Sequence, residues 1–225
     1  MSFIAVIIPA AGRGVRFGGD GPKQFALLPC GTPVLARTIA VFQAIHQVGE
    51  IALAIPAGYE DAALQLVGDH AFTKVKHILA GGESRAHSVY EGLKRLAPTD
   101  VVLVHDGVRP FVSEQLVLAV AEAAQKHGAA IAGIPFVDTV KETDINGYVC
   151  ATPDRNRFWC AQTPQGFNYD QLLDAYEYGV STGLLGQVTD DSTLVEAYGG
   201  KVFIVPGERS NIKITTPEDM PKSFC

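Results

Sequence analysis

The chain opens on an unbroken apolar run, Phe3-Ile4-Ala5-Val6-Ile7-Ile8, rich in β-branched residues and closed by Pro9. A run with no polar alternation reads as a strand covered on both faces, as in a parallel sheet. From Pro33 to His46 the spacing changes, and Val34, Ile39, Phe42 and Ile45 recur at helical intervals. The alternation then repeats. Strands are expected at Glu50 to Ile55, Val75 to Leu79, Val101 to Val104 and Ala129 to Ile134, with helices over Tyr59 to Val67, Ser84 to Leu96 and Glu114 to Lys126. Strands separated by helices pair in parallel through right-handed crossovers, so the pattern predicts an open three-layer α/β sheet.

After Pro135 the rhythm breaks. Val137 to Glu142 and Tyr148 to Thr152 flank Asn146-Gly147, a dipeptide that favours a type I′ turn, which predicts a two-stranded hairpin. A lone hairpin buries too little to be stable, so it has to lean on the sheet or on another subunit. Beyond it come an expected strand at Phe158 to Gln162, helices at Tyr169 to Tyr178 and Asp190 to Tyr198, and strands at Val202 to Val205 and around Ile212 to Ile214. Thr216-Pro217-Glu218-Asp219 supplies an N-cap, a proline at the first helical position and acids in the first turn, and so starts a last short helix. At 225 residues the expectation is one domain over 1–225, with 137–152 as a protruding arm.

Composition narrows the class. Hydrophobic residues at 47% against 19% charged exclude a disordered chain. A net charge of −6 argues against a nucleic-acid-backbone binder, which needs clustered Lys and Arg. No apolar run reaches the ~20 residues of a membrane span; Thr38 to Gly49 and Gly128 to Val137 are both interrupted by polar or turn-forming residues. The N-terminus lacks the basic region and cleavage site of a signal peptide, so the cytoplasm is the expected compartment. Cys30, Cys150, Cys160 and Cys225 lie far apart with no CxxC pair, which reads as buried or idle thiols.

In open α/β sheets ligands bind beyond the carboxyl ends of the strands. The loop after the first strand, Pro9 to Gln24, packs five glycines with Arg13, Arg16 and Lys23. Glycines let the backbone approach a phosphate, and the cations supply charge, so this loop is an anion-site candidate. Its spacing Gly12-x-Gly14-x-x-x-Gly18 is not the dinucleotide fingerprint, and Lys23 follows Pro22 instead of opening a Walker A helix. A second turn, Gly81-Gly82-Glu83-Ser84, runs into a helix carrying Ser88, with Ser84 a plain N-cap candidate. After the fourth strand, Asp106 can hold a metal or a sugar hydroxyl, while Arg109 can bind a phosphate or pair with Asp106 itself. Nucleophile motifs are missing from the sequence. A surplus of phosphate-binding groups without a nucleophile fits attack of one phosphate on another, which needs positioning and charge stabilisation.

Ala10-Ala11-Gly12 through Arg16, Pro22-Lys23-Gln24, Gly81-Gly82 with Arg85 and Ser88, His105-Asp106 with Arg109-Pro110, Asp138-Thr139, Asp154-Arg155-Asn156, Thr163-Pro164-Gln165, Thr189-Asp190 and Asn211-Ile212-Lys213 follow one another in order along nearly the whole chain. Together they closely resemble the 2-C-methyl-D-erythritol 4-phosphate cytidylyltransferases of the non-mevalonate isoprenoid pathway. The resemblance implies a Rossmann-like nucleotide-diphospho-sugar transferase fold and transfer of CMP from CTP to the polyol phosphate, with Mg²⁺. It implies that Ala10, Ala11, Gly12, Gly82 and Ser88 surround cytidine, with Asp106 beside them, and that Arg16 and Lys23 hold the triphosphate. Asp106, Arg109, Thr163, Thr189 and Lys213 line the acceptor pocket, while Thr139 and Arg155 reach it from the arm of the other subunit of a homodimer. Arg155 and Lys213 then orient the attacking phosphate. Ribitol 5-phosphate cytidylyltransferases share much the same loops, and a non-catalytic nucleotide binder on this fold is the further alternative. Glu83, His87 and Gly107-Val108 depart from the family pattern, and Arg13 is an additional cation.

Overall fold

The computed structural model of the protein describes residues 3–12, 17–18 and 21–221. One sheet is built from β1 (Ile4–Pro9), β2 (Val48–Ile55), β3 (Val75–Ala80), β4 (Val101–Val104), β5 (Ala129–Pro135), β8 (Trp159–Asn168) and β9 (Phe203–Pro206). A separate ribbon pairs β6 (Glu142–Thr143) with β7 (Val149–Ala151). The helices are α1 (Val34–Ala44), α2 (Glu60–Asp69), α3 (Arg85–Leu93), α4 (Glu114–His127), α5 (Tyr169–Thr182) and α6 (Ser192–Ala197).

Alternation along the central strands explains the layering. In β1, Ile4, Val6 and Ile8 face a core shared with Leu35, Ile39 and Phe42 of α1, Ala63 of α2 and Val117 of α4. Ala5 and Ile7 face the opposite core, made with Val89 of α3, Leu172 and Tyr176 of α5 and Leu194 of α6. Both faces of the strand are therefore buried, as its unbroken apolar run predicts. Each fully covered Ile or Leu contributes ~1.5–3 kcal/mol of hydrophobic stabilisation.

The sheet order is β3-β2-β1-β4-β8-β5-β9. Six of the expected strands pair in two parallel blocks, β3-β2-β1-β4 and β5-β9, but β8 runs antiparallel between β4 and β5, with Val104 opposite Gln165 and Ala129 opposite Phe167. The sheet is therefore mixed, and β8 is longer than the expected Phe158 to Gln162. Pro164 concealed the extension, because proline within a central strand argues against it. Here the ladder to β5 shifts register between Ile131 and Gly133, opposite the segment that holds Pro164, so its missing N–H breaks no pairing. The expected strand around Ile212 to Ile214 is not a strand. That segment bonds instead to the loop after β4, where Ile214 N donates to Val108 O at 2.9 Å.

The ribbon is shorter than expected, and its turn is not type I′. Gly147 alone has positive φ, +88°, and its N–H donates to Asp144 O at 3.1 Å. Asp144 Oδ1 also accepts from the Asn146 and Tyr148 amides, so the aspartate fixes the turn and the left-handed residue follows it. Along the arm, Phe136, Val137, Ile145, Tyr148, Val149, Phe158 and Trp159 are exposed, Ile145 completely. The last helix is a single 3-10 turn, Pro217–Asp219, capped by Asp219 Oδ2 accepting from Thr216 N at 2.8 Å. Among the described residues the cysteines are not buried: Cys150 and Cys160 are free and exposed, and Cys30, also exposed, is disulfide-bonded, while Cys225 lies outside the described residues. Among the described residues no helix is long and apolar enough to cross a membrane.

Candidate active site

A cavity of about 570 Å³ opens beyond the carboxyl ends of β1, β3 and β4. Its first wall is the start of the loop after β1. Ala10 N continues the ladder by donating to Ala54 O at 2.7 Å, and the buried Gln24 amide then ties the loop down by donating to Ala10 O and Gly12 O. The second wall is the turn after β3. A Cβ on Gly81 would lie 2.1 Å from Ala11 Cβ, so only glycine lets the two walls meet. Ser88 Oγ donates to Ser84 O at 2.9 Å and accepts from Gly82 N at 3.1 Å, which folds the turn back onto α3. Ser84 caps that helix through its hydroxyl, which accepts from His87 N.

The third wall carries the charge. Asp106 follows β4 and is buried, with three cations on its two oxygens. Arg85 Nε is 3.1 Å from Oδ1, while Lys213 Nζ and Arg109 Nε are 3.0 and 3.4 Å from Oδ2. Burial alone would push this carboxyl up, but Arg85, Lys213 and Arg109 outweigh it and hold Asp106 well below the usual carboxylate range. Burial likewise opposes the charge on Arg85, and Asp191 with Asp106 reverses the effect, raising it above its ordinary value. Arg109 is lowered by burial, only partly offset by Asp106.

His105 stands behind this wall, fully buried against Phe42. Burial lowers its pKa to about 4, so the ring is neutral and carries one N–H. Nε2 faces the Arg109 carbonyl at 3.0 Å, which can only accept, and the proton therefore sits there. Nδ1 then accepts from Thr163 Oγ1 at 3.1 Å, while Thr163 Oγ1 accepts from Asp106 N at 3.0 Å. The segment after β9 completes the cavity. Arg109 Nη1 and Gln162 Nε2 donate to Asn211 O, and Lys23 Nζ reaches across to Ile214 O at 2.8 Å.

The structure brings Ala10, Ala11, Gly12, Lys23, Gly82, Ser88, Asp106 and Lys213 to one cavity. Arg109 and Thr163 sit one layer behind, bonded to Asp106. Thr189 is exposed and off the cavity lining. Thr139 and Arg155 are exposed on the arm, where Arg155 donates to Val137 O, and neither lines the cavity of its own chain. Arg16 and Arg13 lie outside the described residues. Sequence reasoning missed Arg85 as a site residue. Its available signal was a cation at the first position of a helix, where the macrodipole disfavours it and some other partner has to hold it.

As for a metal, among the described residues the cavity lining offers only Glu83 and Asp106 as acids, and Asp106 already carries three cations. Among the described residues no group of three or more His, Cys, Asp or Glu could hold an ion. These donors do not form a cage for a resident Mg²⁺; the arrangement suits an anionic ligand that brings its own divalent ion.

The family described as IspD, 2-C-methyl-D-erythritol 4-phosphate cytidylyltransferase, matches residues 4–223. The chain is similar to the protein of that description from Syntrophus aciditrophicus, 42% identical over 221 residues, covering 96% of this chain and 92% of that one. It is likewise similar to the one from Geobacter metallireducens, 44% identical over 222 residues, covering 96% and 94%. Among solved structures, 4-diphosphocytidyl-2C-methyl-D-erythritol synthase from Anaerococcus prevotii superposes with a TM-score of 0.85 at 37% identity, covering 97% of this chain and 93% of that one.

Proposed function

The chain belongs to the 2-C-methyl-D-erythritol 4-phosphate cytidylyltransferase family, and from that premise we propose how its residues divide the work. The reaction is transfer of CMP from CTP to 2-C-methyl-D-erythritol 4-phosphate, giving 4-diphosphocytidyl-2-C-methyl-D-erythritol and pyrophosphate. An oxygen of the acceptor phosphate attacks the α-phosphorus; the new P–O bond forms as the bond to the β-phosphate breaks, and pyrophosphate leaves with its electrons. Ribitol 5-phosphate is not the favoured acceptor.

The observation that supports the division of roles is a cavity in which a glycine-lined wall meets Lys23 and Lys213. Ala10, Ala11, Gly12, Gly82 and Ser88 take the cytidine end. Lys23, with Arg16, offsets charge building on the triphosphate, in a cleft where such contacts count for more than in water. Lys213 and Arg155 orient the attacking phosphate, because two anions repel and have to be aligned. Asp106, Arg109, Thr163, Thr189 and Thr139 form the polyol side, Arg109 and Thr163 by holding Asp106. Magnesium enters as part of the MgCTP substrate.

Arg155 and Thr139 act across subunits in this reading. The support is the exposed apolar side chains of the arm, Val137, Ile145, Tyr148 and Val149 among them; exposed apolar surface of this kind marks an interface. The protein is thus a homodimer, working in the cytoplasm as a single 1–225 domain with an arm at 137–152. The direct test is pyrophosphate release from CTP with methylerythritol phosphate and, separately, with ribitol 5-phosphate. A higher kcat/KM for the first is expected; a higher value for the second would overturn the acceptor and leave the transfer chemistry standing.

A further inference from the structure

Arg85 opens α3, where a cation gains nothing from the helix itself. Two buried carboxylates hold it instead: Nε lies 3.1 Å from Asp106 Oδ1, and Nη1 lies 2.8 Å from Asp191 Oδ2. Asp191 is fully buried and does not line the cavity, so no substrate contact accounts for it. It is fixed from behind. Tyr176 Oη donates to Asp191 Oδ1 at 2.5 Å, and Gln165 Oε1 accepts from the Asp191 and Ser192 amides at 3.0 and 3.2 Å. Tyr176 is itself buried on α5, its ring stacked on Tyr90 with centroids 5.6 Å apart. An unbroken series of polar contacts runs from the helical layer through Asp191 and Arg85 to the cavity carboxylate.

A buried ion pair adds little net stability over apolar packing, but a planar guanidinium with two partners fixes geometry. Arg85 takes Asp106 Oδ1 and so leaves Oδ2 facing Lys213 and Arg109. Turning that carboxylate would displace the Lys213 ammonium with it. Resting on the cytidylyltransferase reading, we infer that Arg85, Asp191 and Tyr176 are positioning residues for the acceptor half of the site. They set the plane of Asp106, and through it the place of Lys213, which orients the attacking phosphate.

The test compares kcat and both KM values in Tyr176→Phe, Asp191→Asn, Asp106→Asn and the Tyr176→Phe/Asp106→Asn double variant, with the melting temperature of each. Tyr176→Phe keeps the stacked ring and removes one donor. It is expected to lower kcat/KM for the acceptor about ten- to a hundred-fold, the cost of a small misplacement, with KM for CTP changed by no more than about two-fold. In the Asp106→Asn background the same change is expected to do nothing more, because the carboxylate it acts through is gone. Equal rises in both KM values, an additive loss in the double variant, or wild-type kinetics in a folded Tyr176→Phe would each overturn the inference. Asp191→Asn is expected to show a larger loss in the same direction, and if it does not fold, the Tyr176 variants decide alone. Absence of turnover in the unmodified protein with CTP and this acceptor would remove the functional reading itself, and the inference with it.

Discussion

Lys23 reaches the cavity from the segment after β1, donating to Ile214 O and adding its charge to the Thr216 and Thr215 amides that lower the pKa of Asp219. It belongs to no core cluster, so its removal bears on chemistry more than on folding. Lys23→Ala is expected to lower kcat by about 10²- to 10³-fold, as for loss of one group aimed at developing charge. Each lost hydrogen bond costs ~1 kcal/mol, which for a chain of this size moves the melting temperature by about 2–4 °C, so the variant should stay folded at assay temperature. Near-normal turnover would refute the assignment. His105 makes a different prediction. Its folded pKa, about 4, is below the ordinary 6.5, so the unfolded chain binds a proton that the folded one does not. Stability from this group is therefore full above pH 6.5 and drains as pH falls toward 4, by ~2 kcal/mol between pH 7 and 5. Denaturant titrations at the two pH values check this: His105→Asn should lose less on acidification than the wild type. Lys23 and Asp106 were legible in the sequence because charged residues stood in loops after strands, whereas Lys213, in a segment that reads as a strand, entered only through the family resemblance. Arg85 and Asp191 were not legible, because their meaning is a contact between positions 106 residues apart, and each alone looks like a surface charge.

Among the elements, the turn after β3 tolerates least. A methyl on Gly81 would overlap Ala11 and Ser88 together, so Gly81→Ala has to push apart the two walls that flank the proposed cytidine. The expected cost is about 1–3 kcal/mol of stability, typical of overpacking, together with a KM for CTP raised at least about ten-fold. Denaturant unfolding and initial-rate kinetics measure the two effects, and an unchanged KM would place the nucleotide elsewhere. The helices and the six parallel strands could be read from periodicity, since a strand buried on both faces and an amphipathic helix leave different repeats. The full length of β8 could not. Its Pro164 lies in a register shift that only the pairing with β5 reveals. The Ile212 to Ile214 segment misled for the converse reason: alternating Ile, Lys and Ile fits a strand, yet its main chain is spent on holding Lys213 at the cavity.

For the whole molecule, the proposed sharing of a site between subunits would make complementation possible. Lys23→Ala damages the cavity side, whereas Arg155→Ala damages the arm side. A hybrid dimer then has one site with both defects and one site with neither. Random reassociation of the two inactive variants should restore about a quarter of wild-type activity, because half of the dimers are hybrids with one intact site each. If mixing after denaturation and refolding restores nothing, Arg155 does not act across the interface. Deleting the arm tip around Ile145 should give monomers on sedimentation. The position of β8 carries one more consequence. β4 and β5 do not pair with each other; the strand between them belongs to residues 159–168, which follow the arm. On the ribosome, the first 135 residues emerge with a gap through the middle of their future sheet, so two unsealed edges wait for a strand not yet made. Those edges are templates for pairing with other chains. The nascent protein is therefore most exposed to misassociation while the arm is being translated, and a chain stopped before Trp159 should bind a holdase chaperone where one extended past Asn168 escapes it.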